Sequence, residues 1–305
     1  MGNFGGVASV GVFDGHGGWQ VAEKLRTSLP QHVRRAVEKF PSREEALRAA
    51  FREADSEVRS LVAPAYALGF SKLARVGACG LVVLVDATTI CAANAGDCKG
   101  VIVRKGGVVA LNLQHNANDP QEQTRLRTLH PEEADVVKCK REWTEKTPNG
   151  WFRTSEIKKF SGCYVKGMLQ PTKAFGDFYL KEEALGFDFD RQRTFVNPAI
   201  RKSFPYITSE PDITFVPRSP LDQLIVLGSD GLWDELSEQE VADVATAALS
   251  RGATPEEIAQ QLIDAALVKA AEAAKMRVDD LKRLPQGRER RSLHDDISVV
   301  VLLLD

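Results

Sequence analysis

The chain is 305 residues long, 43% hydrophobic and 27% charged, with 40 Lys and Arg against 42 Asp and Glu and a net charge of -2. That balance speaks against a strongly basic nucleic-acid binder. No apolar run reaches the roughly 20 residues that span a bilayer, and the aliphatic content argues against disorder. The five cysteines, Cys79, Cys91, Cys98, Cys139 and Cys163, are odd in number and hold no C-x-x-C pair. This counts against a zinc cluster or a disulfide framework, and a reducing compartment is the simplest reading. Residues 1–6 show no signal segment or Arg-rich presequence. An intracellular, cytoplasmic monomer without membrane or nucleic-acid partners is expected.

Residues 7–13 (VASVGVF) are short, β-branched and apolar, and predict a buried strand ending at a turn, Asp14-Gly15. From Ser42, apolar residues at Ala46, Leu47, Ala50, Phe51, Ala54, Val58 and Leu61 have helix spacing, and Ser42 with Glu45 forms a capping box. Residues 81–85, 89–94 and 101–104 are β-rich and separated by turn residues, which predicts an antiparallel meander. Residues 112–215 are irregular and polar, a pattern that points to a functional or partly mobile segment rather than core. Residues 223–228 predict a strand ending at Ser229-Asp230-Gly231. Two helices follow, opened by the capping boxes Ser237/Glu240 and Thr254/Glu257, the second with Pro255 at its first position. Residues 283–291 read as a basic loop and 297–304 as the last strand. Strands, grouped helices and a closing strand predict one α+β domain over residues 1–305.

Four aspartates share a setting. Asp14 and Asp230 end predicted strands, Asp97 lies in a Gly-Asp turn, and Asp295 precedes the last strand; Asp177 in AFGDF is a fifth of the kind. Each Asp-Gly alone is an ordinary turn. Together they describe carboxylates at one sheet rim, the hard oxygen donors that Mg²⁺ and Mn²⁺ prefer. Burying them unpaired would be expensive. His16, two residues past Asp14 on a Gly-rich turn, suits a general acid or a water-orienting group. His294 could orient Asp295, whereas His32, His115 and His130 have no comparable setting. Cys79, Cys91 and Cys98 read as inert core thiols.

In this order GVFDGHGG (11–18), NAGDCKGVIVR (94–104), LQPTKAFGDFYLK (169–181), VLGSDGLWDEL (226–236) and HDDISVVVLLLD (294–305) resemble the metal-dependent protein serine/threonine phosphatases of the 2C type, the PPM family. The resemblance spans residues 7–305. Segments 113–137 and 275–296 look closest to pyruvate dehydrogenase phosphatases and plant clade D members, and a mitochondrial role follows only by that analogy. It implies a central sandwich of two antiparallel sheets flanked by helices, an αββα architecture, with a flap at about residues 139–210. It implies two Mg²⁺ or Mn²⁺ ions: Asp14 bridging both, the Gly15 carbonyl on one, Asp230 and Asp295 on the other. Asp97 would belong to a third, weaker site. His16 would protonate the leaving oxygen. A metal-bridged water would attack phosphoserine or phosphothreonine in a protein substrate, with no covalent phosphoenzyme.

The sequence departs from that pattern at its start. The family carries a preceding strand with a phosphate-binding arginine and a Glu-Asp pair, and residues 1–6 hold neither, which leaves the substrate-binding residues unassigned. This motivates an alternative, a pseudophosphatase binding module on the same fold. A two-metal nuclease fits the motif order less well. Smaller departures are Cys79 in Gly-Ala-Cys-Gly, Cys98 and Lys99 after Asp97, and Lys173 where arginine is common. The basic stretch 282–291 reads as a solvated loop, with docking of acidic partners as its alternative.

Overall fold

Two sheets lie face to face, and the period-2 alternation along their strands decides which side chains meet between them. The computed structural model describes residues 2–4, 6–140, 143–149, 153–159, 162–197, 203–285 and 287–304. In chain order, β1 (Gly2–Phe4) and β2 (Val7–His16) lead into the helices α1 (Gln20–Lys39) and α2 (Arg43–Ala67). A 3-10 turn (Ser71–Arg75) precedes β3 (Gly77–Val85), β4 (Thr89–Ala95), β5 (Lys99–Arg104) and β6 (Gly107–Ala110). The middle of the chain holds α3 (Pro120–Leu129), β7 (Val137–Cys139), the hairpin β8 (Trp143–Asn149) and β9 (Arg153–Lys159), and β10 (Cys163–Val165). There follow β11 (Phe175–Gly176), α4 (Phe178–Lys181), β12 (Phe187–Asp188), β13 (Arg193–Thr194) and β14 (Asp212–Pro217). The last third contains β15 (Asp222–Gly228), α5 (Asp230–Trp233), α6 (Glu238–Ser250), α7 (Pro255–Ala273), α8 (Val278–Arg283), α9 (Arg288–Arg291) and β16 (Val299–Leu303).

One sheet runs β1-β2-β3-β4-β14, with β11 beside β3; the other runs β16-β15-β5-β6, all antiparallel. Val10, Val12, Leu81, Val83, Ile90, Ile102, Ile225 and Leu227 fill the space between them. Their neighbours one residue away point outward. Val82 and Leu84 meet Leu25, Leu29, Leu47 and Phe51 of α1 and α2, while Val101, Val103, Leu224 and Val226 meet Val241, Ala245, Ile258 and Leu262 of α6 and α7. Both faces of each central strand are therefore buried, which gives the four layers of an αββα sandwich. Each fully buried aliphatic side chain contributes about 1.5–3 kcal/mol of transfer free energy.

Local signals hold at the helix starts. Ser42 caps α2 by accepting from the Glu45 N–H, and Ser237 and Thr254 form complete capping boxes on α6 and α7. Leu61 departs from the helical stripe: it is exposed, and Val62 and Tyr66 take the buried positions, because the stripe drifts around the helix axis over seven turns. The expected meander breaks after β4. β5 crosses to the second sheet, so only β3 and β4 pair with one another. Residues 278–291 are partly helical rather than a loop, and four of their cations are paired: Lys282 with Asp264, Arg283 with Asp280, Arg290 with Asp296 and Arg291 with Asp295.

The cysteine expectation is also corrected. Cys139 and Cys163 are direct cross-strand partners on β7 and β10 and form a disulfide, whereas Cys79, Cys91 and Cys98 are buried free thiols. The expected flap at 139–210 falls partly outside the described residues; its described parts include the β8–β9 hairpin and the β12–β13 pair. Among the described residues no helix is long and apolar enough to cross a membrane.

Candidate metal centre and active site

Strand β2 does not stop before Asp14. It continues through His16, because Asp14, Gly15 and His16 stay paired with Cys79, Ala78 and Gly77 of β3, small residues that let the strands remain close. The predicted turn at Asp14-Gly15 is therefore extended strand, and the turn comes at Gly17-Gly18, both with positive φ. This places Asp14 and His16, two residues apart, on one face of the sheet end.

The second sheet delivers its carboxylates to the same end. Asp97 sits in the crossover from β4 to β5, the segment that passes between the two sheets. Asp230 opens α5 directly after β15, whose last residue Gly228 pairs with Lys99. Ser229 fixes this corner: its hydroxyl donates to the Asp296 carbonyl (3.0 Å) and accepts from the Ser298 N–H (3.0 Å), which brings the Asp295 segment alongside. The Trp233 indole N–H donates to the carbonyls of Lys99 (3.0 Å) and Gly228 (3.1 Å) and pins α5 to β5.

The Asp14 and Asp230 carboxyls lie beside one another at this rim, close enough to perturb each other's titration. Burial, with the charges of Asp97 and Asp295, pushes Asp14 up to about 6 even though the Asp230 contact pulls it down. Burial and the charges of Asp97, Asp14 and Asp295 push Asp230 up to about 9. Two facing carboxyls in a field of two more can hold a proton between them, or a cation. Asp230 Oδ1 is buried with no protein partner, an acceptor for which the described residues supply no donor. The donor chemistry and that orphaned oxygen fit a hard divalent cation.

The predicted ligands are not all gathered to contact distance. Among the described residues no three His, Cys, Asp or Glu side chains form a closed cation cage. Asp97 is buried and both its oxygens are engaged, Oδ1 by the Cys79 thiol (3.0 Å) and Oδ2 by the Asn116 amide (2.9 Å). Asp295 turns its Oδ2 to Arg291 (3.1 Å). His294 bonds the Asp295 carbonyl (2.7 Å), not the carboxylate it was expected to orient.

Two acidic residues stand otherwise than the sequence suggests, Asp177 and Asp234. Asp177 is not a fifth rim carboxylate. It is wholly buried and bonded to His16, Oδ2 to Nε2 at 2.5 Å. Burial alone would lower the His16 pKa, but the charge and hydrogen bond of Asp177, with smaller help from Asp97 and Asp14, raise it above the ordinary value. Asp234, one helical turn after Asp230, is raised by burial and by the charges of Asp97 and Asp295. Its i, i+4 spacing from Asp230 was the available signal. Lys173 pairs with Asp212 at 2.5 Å, and Asp212 also accepts from His115.

A family model described as protein phosphatase 2C matches residues 6–142 and 148–274. "Probable protein phosphatase 2C 28" of Oryza sativa subsp. japonica is 33% identical over 305 residues, covering 97% of this chain and 69% of that protein. "Probable protein phosphatase 2C 64" of Arabidopsis thaliana is 32% identical with the same coverage. Among solved structures, a C. elegans sex determining protein superposes with a TM-score of 0.62 at 18% identity, over 97% of this chain and 56% of that one. A serine-threonine phosphatase 2C from Toxoplasma gondii gives 0.58 at 16% identity, over 97% and 84%. At those identities the two structures speak to the fold.

Proposed function

Because this chain belongs to the protein phosphatase 2C family, we propose that it hydrolyses phosphoserine and phosphothreonine in proteins at the rim where Asp14, His16, Asp97, Asp230 and Asp295 collect. It is a metal-dependent protein serine/threonine phosphatase of the Mg²⁺/Mn²⁺ class. The observation that carries the site assignment is the Asp14–Asp230 contact with Asp230 Oδ1 left without a partner. We assign Asp14 and the Gly15 carbonyl to one ion, Asp14, Asp230 and Asp295 to a second, and Asp97 to a third, weaker one. Segments 113–137 and 275–296 support placement near plant clade D and the pyruvate dehydrogenase phosphatases.

When bound, the ions supply charge neutralisation for the phosphate oxygens and an acidified water as nucleophile. The chain's own residues do the rest. Asp14 and Asp230, as carboxylates, would hold the ions and carry the site's negative charge. The water oxygen bonds to phosphorus, and the bond from phosphorus to the Ser or Thr oxygen breaks. His16 supplies the proton that this oxygen needs to leave as a hydroxyl. No side chain is required as nucleophile, in keeping with the burial of Cys79 and Cys98, whose thiols are pushed far up by desolvation. The non-catalytic binding module is not favoured, because His16 and all four carboxylates are retained at one end of the sandwich.

The test is phosphate release from a phosphoserine peptide with Mn²⁺, comparing the chain with Asp230→Asn. Loss of at least ~1,000-fold in kcat is expected. Undiminished turnover by the variant, or turnover unaffected by EDTA, would overturn the assignment.

A further inference from the structure

The contact between His16 and Asp177 joins residues 161 apart in sequence, and the fold is built closely around it. Strands β2, β3 and β11 run side by side, with Gly77 paired to His16 on one edge and to Gly176 on the other. Immediately after β11 the backbone enters the left-handed region at Asp177 (φ 49°, ψ 40°), which curls its carboxylate back over Gly77 to reach the imidazole. Such a conformation costs a non-glycine residue of order 1–3 kcal/mol and persists only where the surroundings enforce it. They do so here. The Asp177 N–H donates to the Val76 carbonyl (3.0 Å), and Asp55 of α2 accepts from the Gly176 N–H (2.8 Å) and pairs with Lys181 (2.6 Å).

Gly77 is the floor of this arrangement. A Cβ there would overlap Asp177 Oδ2 and lie 2.5 Å from His16 Nε2, so only glycine leaves room for the pair. Asp177 is wholly buried, and its other oxygen, Oδ1, has no hydrogen-bond partner among the described residues. A sequestered carboxylate with one side-chain partner is expensive as a piece of scaffolding. With Nε2 occupied, Nδ1 is the nitrogen of the partly exposed His16 ring that is left for substrate.

We propose that Asp177 is a positioning residue for the phosphatase reaction: by holding His16 Nε2–H it fixes the ring and its tautomer, so that Nδ1 is the atom that hands a proton to the leaving Ser or Thr oxygen. The inference rests on the reading of His16 as proton donor. In the step, the electron pair of the breaking P–O bond goes to the Ser or Thr oxygen and the Nδ1 proton follows it. Neutral imidazole remains, with Nε2–H still on Asp177, and water reprotonates Nδ1. An acid-orienting carboxylate of this kind acts through geometry and tautomer.

The discriminating variable is the leaving group. A serine alkoxide needs the proton, whereas the nitrophenolate of p-nitrophenyl phosphate leaves without one. Asp177→Asn keeps size and tolerates the left-handed backbone, and circular dichroism checks its fold. Its kcat on a phosphoserine peptide with Mn²⁺ is expected to fall ~100-fold or more and on p-nitrophenyl phosphate less than ~10-fold, with KM for the peptide nearly unchanged. His16→Ala is expected to show the same split, and the double variant to be no worse than His16→Ala alone. Equal losses on both substrates for Asp177→Asn, or multiplicative losses in the double variant, would overturn the inference. A split in His16→Ala alone overturns only the role of Asp177. No split in His16→Ala overturns the acid reading and this inference with it. If Asp177→Asn does not fold, ¹⁵N NMR of the metal-free wild type, at a pH high enough to make the His16 ring neutral, decides: the Nε2–H tautomer of His16 supports the inference, and the Nδ1–H tautomer refutes it.

Discussion

Replacing Asp230 by asparagine should make the metal-free protein more stable while destroying its activity. Asp230 has an ordinary pKa of 3.8 and is pushed up to about 9 in the fold by burial and by Asp97, Asp14 and Asp295. The sign follows from linkage. Below about pH 4 the carboxyl is protonated in both folded and unfolded chains, and there is no penalty. As pH rises, the unfolded chain ionises while the folded one keeps its proton, so stability falls until about pH 9. Each pH unit of displaced titration is worth about 1.4 kcal/mol, so at pH 7 the ceiling is about 4 kcal/mol. The asparagine amide can still donate to Asp14 but leaves that carboxylate among the same charges, so a gain of about 2 kcal/mol is the working expectation. Urea unfolding in EDTA at pH 5, 7 and 8.5 measures it: the advantage of Asp230→Asn should grow with pH. In millimolar Mn²⁺ it should shrink or reverse, because cation binding stabilises the wild type. If the variant is no more stable than wild type in EDTA, or its advantage shrinks as pH rises, the picture of four mutually repelling carboxylates is wrong.

Ser229→Ala removes a buried hydroxyl that ties the end of β15 to Asp296 and Ser298; a loss of about 1–2 kcal/mol in urea unfolding and a several-fold weaker Mn²⁺ requirement curve are expected. Arg291→Ala frees Asp295 from an exposed ion pair at 3.1 Å. It should tighten Mn²⁺ binding about two- to threefold by calorimetry at low salt, an effect that fades as salt is raised. Thr254→Ala breaks the α7 capping box far from the site, so it should cost about 1 kcal/mol in thermal unfolding and leave kcat unchanged.

What the sequence made legible was local. The capping residues Ser42, Ser237 and Thr254 and the apolar runs of β3, β4, β5 and β15 are short-range signals, and they recur in the structure where the sequence placed them. Asp14 and Asp230 were recognisable because charge interrupts an apolar run. What was not legible depends on contacts distant in sequence. Nothing in residues 101–104 says that β5 leaves the first sheet, since its alternation suits either one. Asp177 looked like another Gly-Asp turn. Its partner is fixed by the register of a two-residue strand, β11, too short to carry any periodicity. The Cys139–Cys163 bond likewise needs the β7–β10 pairing, which a count of cysteines does not contain.

Cys79, Cys91 and Cys98 are all sealed from solvent, and burial pushes Cys91 up to about 12 and the other two well above their ordinary value. Peroxide and alkylating reagents react with thiolate, and these residues present almost none. Under the proposed mechanism, in which water is the nucleophile, none of these three thiols takes part in the chemistry, and their burial leaves an oxidant little thiolate to convert to sulfenate.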